Sequence, residues 1–168
     1  MHRVSNWAAG LSLLAFAAFA THAAETPTDP QGFVKGAMQV ALLEVEASRL
    51  AQANAASVPV RDFAARSVSE QGKASAELTV IAKAKTIEVP GVMGADREKQ
   101  LSKLQGRKGK AFDRAYAELM VQDLGTAVEL FQANVSHPDG ELAAFAARTL
   151  PMLQEHKRLA GNLKANLK

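Results

Sequence analysis

Five side chains in this sequence could do chemistry together if a fold gathers them: Glu44, Glu70, Gln71, Asp123 and His156. Carboxylates and an imidazole serve either as metal ligands or as buried acid–base pairs, and spacing decides between the two. A di-iron centre in a helical bundle takes a Glu from each of two helices and a Glu-x-x-His pair from each of the others. The pair works because residues three apart share a helical face. Glu-x-x-His occurs nowhere here: Leu153, Asn134 and Phe19 stand three places before His156, His137 and His22. In "EQGK", Lys73 sets a positive charge where the second helix would need a ligand. A di-iron oxidase is therefore not expected.

Two readings remain open. One is a weaker site for a single metal ion, built from Glu44 and His156 with Glu70 or Asp123, since three ligands can hold zinc. The other is a structural polar centre of Glu44, Gln71 and His156, with no cofactor. An unpaired charge in an apolar interior costs on the order of several kcal/mol. Glu44 would then pair with His156 and the Gln71 amide would bridge them. Failing that, Glu44 turns to a wet edge and His156 caps a backbone carbonyl.

The elements that must position these residues are legible as four long amphipathic helices. The first opens at "TDPQGF", with Asp29 as cap and Pro30 in the first turn, and runs to about Asn54. Ser57 and Pro59 open a second that runs to about Lys85, and the third covers about Lys110 to Val135. The fourth follows "SHPDGE", with Asp139 as cap. The links are short, long, short. The long one, "TIEVPGVMGADREKQLSKLQGRKGK", carries turn residues at Pro90, Gly91 and Gly94, and "DREKQLSKLQ" predicts a short helix. One long crossover between helices 2 and 3 marks an all-α, ferritin-like four-helix bundle.

Apolar spacing picks an inward stripe on each helix. It takes Ala37, Val40, Ala41, Ala47, Ser48 and Ala51 on the first, and Phe63, Ala64, Val68, Ala74, Leu78 and Ile81 on the second. On the third it takes Phe112, Tyr116, Met120, Ala127, Leu130 and Phe131; on the fourth, Leu142, Phe145, Met152, Leu159, Ala160 and Leu163. The middle of each stripe falls on Glu44, Gln71, Leu124 and His156 respectively.

The start of the chain speaks to compartment. Arg3, an apolar run from Trp7 to Ala20 and small residues before Ala24 form a secretory signal peptide over 1–23, cleaved near Ala23-Ala24. Residues 24–168 then make one domain, periplasmic or secreted, held by packing alone because the sequence has no cysteine. The run is too short to span a bilayer, so no integral membrane protein is expected. A formal net charge of +3 does not call for nucleic acid.

Two further features stand out. Arg97, Lys99, Lys103, Arg107, Lys108, Lys110 and Arg114 crowd the crossover and the next helix with few acids between them. They are either solvated loop charges or a surface for anionic lipid or envelope polymers, centred on Arg107, Lys108 and Lys110. Pro151 removes the bond to the Ala147 carbonyl one turn before His156, which predicts a kink, either opening a cavity beside the histidine or merely tolerated.

Three stretches carry a resemblance: "ALLEVEASRLAQANAASVPVRDFAARSVSEQGKASAEL", "LQGRKGKAFDRAYAELMVQDLGTAVELF" and "FAARTLPMLQEHKRLAGNL", above all around Phe112-Asp113, Tyr116 and Leu150-Pro151. The chain resembles a bacterial family of exported proteins, the domain of unknown function DUF4142, whose fold is ferritin-like. The resemblance implies Asp-His where this chain has Glu70-Gln71, and His where it has Leu124. Glu44 and His156 alone remain of the implied set. Leu124 cannot bind a metal, and the Gln71 amide is a poor donor for a transition ion. The resemblance implies a fold and a compartment but no reaction. The function expected is a non-catalytic, exported bundle with a binding or structural role in the envelope; the alternative is a metal-binding protein using Glu44 and His156.

Overall fold

The computed structural model describes residues 26–167, which fold into five helices: α1 (Pro30–Asn54), α2 (Val58–Ala84), α3 (Ala95–Ser102), α4 (Gly109–Asn134) and α5 (Gly140–Asn166). The expected signal peptide and its cleavage site, with His22, lie outside the described residues. No strand is present among the described residues, so the protein is an all-α helical bundle. No helix among them is long and apolar enough to cross a membrane.

Local chemistry sets the helix ends. Asp29 accepts the Gly32 N–H at 2.8 Å, and Asp139 accepts those of Glu141 and Leu142 at 3.0 and 3.2 Å, so both act as side-chain caps. Ser57 occupies the cap position of α2 without a side-chain bond. The α1–α2 turn instead gives its Ala56 and Ser57 N–H groups to the Asp113 carboxylate on α4, at 3.1 and 2.9 Å. A tertiary contact thus supplies what the local cap does not.

The long helices pack as a ring, α1 against α2 and α4, and α5 against α4 and α2, with α3 lying on α1. Close approach of α1 to α4 depends on Gly36, where an added Cβ would sit 2.9 Å from Leu130 Cδ2. One pole joins the start of α1 to the end of α4, since Asn134 Nδ2 donates to the Pro27 carbonyl at 2.9 Å. The end of α2 and the start of α5 meet there too, through Lys85 Nζ and Asp139 at 2.7 Å. Asp113 and the α1–α2 turn mark the other pole.

The 85–108 connection leaves the first pole and reaches α4 at the second, running along α1. Two glutamines fasten it there. Gln31 donates to Glu88 O at 3.0 Å and accepts from its N–H at 3.1 Å; Gln39 donates to Val92 O at 2.9 Å and accepts from Gly94 N–H at 2.7 Å. In the groove of about 790 Å³ between connection and α1, the two glutamine amides are therefore already satisfied by the backbone of the connection.

Phe33, Phe131 and Phe145 fill the core toward the first pole, with ring centroids 5.3 to 6.4 Å apart. Phe63, Phe112 and Tyr116 fill it toward the second. The inward stripes need correction at their edges. Val68, Ala74, Met152, Leu159 and Leu163 are only partly buried, while Ala146, Thr149, Leu150 and Leu153 lie inside. On α5 the true seam is 142, 146, 149, 153, 156 and 160, alternating steps of four and three, which follows the 3.6-residue turn more closely than the expected set. α5 runs on through Pro151, whose ring is exposed, as is Ala147, so water can reach the carbonyl left without a partner. The flank of His156 is filled by the Phe63 ring, with centroids 5.6 Å apart, and no opening beside the histidine follows from the proline.

Candidate functional site: a buried polar centre

Glu44 (α1), Gln71 (α2), Leu124 (α4) and His156 (α5) all lie inside the bundle, each at most 3 % exposed. Their arrangement differs from the expected bridge. His156 Nε2 lies 2.7 Å from Glu70 Oε2 and donates to it, while Nδ1 is 3.9 Å from Glu44 Oε2, an ion-pair distance and not a hydrogen bond. Gln71 Nε2, both Glu44 oxygens and His156 Nδ1 have no hydrogen-bond partner. So Gln71 does not bridge the pair, Glu44 is not at a wet edge, and His156 caps no carbonyl.

Glu70, offered by the sequence only as a weak ligand, is the residue that holds the imidazole. Its other oxygen accepts from Arg66 Nε at 3.1 Å. Burial raises the Glu70 pKa, but the hydrogen bonds from His156 and Arg66 outweigh it and hold the carboxyl below its ordinary value. Burial lowers the His156 pKa, and the Glu44 and Glu70 carboxylates outweigh it in turn, so the imidazole titrates above its ordinary value.

These opposite shifts fix a pH dependence. The His156 contribution is fully present below the unfolded pKa of about 6.5 and is lost as pH rises through the raised folded value. The Glu70 contribution is present above its unfolded pKa and is lost as pH falls through the depressed one. Urea midpoints should therefore fall between about pH 6 and pH 9. His156→Gln should flatten that slope; an equal slope in both proteins would remove the imidazole from the explanation.

The strongest feature of the centre comes from the crossover. Arg97 was grouped with the surface cations by sequence, but its guanidinium reaches inward and pairs with Asp123 on α4, its side chain 18 % exposed and that of Asp123 fully buried. Burial lowers the Arg97 pKa, and the nearby Glu44 charge opposes this. Three carboxylates (Glu44, Glu70, Asp123) thus face Arg66, Arg97 and, when protonated, His156. The centre is charge-balanced by the chain's own groups.

A signal for Arg97 was present in the sequence. Residues 97, 101 and 104 follow helical spacing; Leu101 packs on the core and Leu104 is buried, so Arg97 shares the inward face of α3. Above the centre, Tyr116 Oη and Ser48 Oγ are 2.8 Å apart and buried, and burial pushes the phenol well above its ordinary pKa. His137 serves the α4–α5 link, where its Nδ1 accepts the Asp139 N–H at 2.9 Å.

The implied transition-metal site does not fit these residues. Leu124 offers no donor, Gln71 turns an amide N–H inward, and the guanidinium of Arg97 brings a fixed positive charge beside Asp123 and Glu44. Among the described residues no group of three or more His, Cys, Asp or Glu is arranged to hold a metal ion.

Fold and site together define an all-α bundle whose interior pairs its own charges. A sequence model of the domain of unknown function DUF4142 matches residues 15–163, and the chain belongs to that family. Neither the curated proteins nor the solved structures contain a match to it.

Proposed function

We propose that this protein is an exported, periplasmic bundle of the ferritin-like type, without catalytic activity, that acts in the envelope by binding or as a structural element. The single observation carrying this reading is the position of Arg97, whose guanidinium sets a fixed positive charge on the buried Asp123 and within the field of Glu44, where it would repel a metal ion. The long connection between poles supports the ferritin-like comparison. The apolar start of the sequence supports export.

The alternative, metal binding through Glu44 and His156, has one observation in its favour. Glu70 holds His156 Nε2 and leaves Nδ1 directed toward Glu44, as an outer carboxylate orients a ligating imidazole. Metal analysis separates the two. Protein made without a histidine tag, loaded with iron, zinc or copper and desalted, should retain no stoichiometric ion. An ion that is retained by the parent and lost in His156→Ala would establish the alternative.

A further inference from the structure

We propose that the pole bearing the start of α4 is a docking surface for an anionic phospholipid bilayer; this rests on the reading of the protein as exported. Lys103, Arg107, Lys108, Lys110 and Arg114 fall within twelve residues, and all are exposed. Asp113 is the only acid in that span. It is buried, and both its oxygens accept backbone N–H groups of the α1–α2 turn, so it offers nothing to the cations around it.

None of the five lies within ion-pairing distance of a carboxylate among the described residues, whereas Arg49, Arg66, Arg148 and Arg158 all do. The opposite pole differs in kind, since Lys85 is engaged there by both Asp139 and Glu141. Lys35, Arg61, Lys73, Lys83, Lys99 and Lys157 stand in no ion pair among the described residues either, but they are dispersed over four helices, whereas these five cations follow one another in a single stretch.

Chain continuity keeps the five cations at one end. Arg107 Nε donates to the Lys103 carbonyl at 2.7 Å, and both residues line one hollow with Glu118. Lys108 occupies the cap position of α4 without a side-chain bond, and Lys110 and Arg114 line a second cleft with Ala56 and Ser57. Beside that cleft Val58 is 57 % exposed, at the tip of the α1–α2 turn. An exposed basic end with an apolar side chain beside it matches a flat array of phosphate headgroups over hydrocarbon. Its cations are divided between two hollows instead of converging on one enclosed pocket that would select a single soluble anion. Each cation near such a surface should strengthen binding about fivefold, and salt should weaken it.

The test is co-sedimentation of the mature chain with vesicles. Phosphatidylcholine vesicles containing phosphatidylglycerol should bind at low salt and pure phosphatidylcholine vesicles should not. Lys108→Ala with Lys110→Ala should weaken binding on the order of 25-fold. Lys73→Ala with Lys157→Ala, which removes the same charge from exposed sites along the sides of the bundle, should leave it unchanged. No binding at low salt, or equal loss in both double variants, would overturn the proposal. So would equal affinity for a soluble polyanion with the same mutational pattern. Osmotic-shock fractionation tests export separately, so a cytoplasmic protein that still binds vesicles would refute the compartment and not the surface.

Discussion

Arg97→Ala should cost about 3–5 kcal/mol of unfolding free energy, the largest loss expected from any single surface-reaching side chain here. The reason is the partner left behind. Asp123 is fully buried, and with the guanidinium gone its carboxylate has no cation and no hydrogen bond in an interior of low dielectric. Glu44 loses the same field. Arg97→Lys should recover only part of the loss, because an ammonium is more strongly hydrated than a guanidinium and is held less readily beside a buried carboxylate. Urea denaturation of the three proteins decides it. A change under about 0.5 kcal/mol for Arg97→Ala would mean that the arginine is an ordinary surface residue.

The second large effect belongs to Asp113. Asp113→Ala should destabilise by about 2–3 kcal/mol, since two charge-assisted bonds to the Ala56 and Ser57 N–H groups disappear. Those bonds anchor the start of α2 to α4 and replace a side-chain cap that Ser57 does not make. Asp113→Asn should retain about half of the effect, keeping one acceptor. Amide exchange at Ala56 and Ser57 should rise in the alanine variant; unchanged protection there would show that the turn is held by something else.

Sequence and structure agree best where a rule is local. Asp29 and Asp139 are caps that any reading of helix starts would choose, and the short helix in the crossover follows from "DREKQLSKLQ" between glycines. The burial of Glu44, Gln71, Leu124 and His156 was equally readable, because each continues an apolar stripe through the middle of a long helix. Partnerships were not. Glu70 sits one residue from the inward position and looks like a surface acid. Its side chain is long enough to turn back onto His156, and the helical pattern says nothing about that.

Asp113 and its two N–H partners are 57 and 56 residues apart, so their bond depends on how the poles assemble. Arg97 was hidden among the neighbours of its own segment. Counted with Lys99 and Lys103 it reads as one more solvated cation; counted with Leu101 and Leu104 it reads as inward. Charge runs and amphipathic stripes overlapped at that residue, and packing decided.

Whether the bundle interior is balanced by its own crossover is most directly measured by a double-mutant cycle between Arg97→Met and Asp123→Asn, read from urea unfolding. A coupling of about 2–3 kcal/mol is predicted, because the arginine should matter little once the buried charge it answers has been neutralised. Losses that simply add, within about 0.5 kcal/mol, would show that the two groups act independently and that something else neutralises the centre.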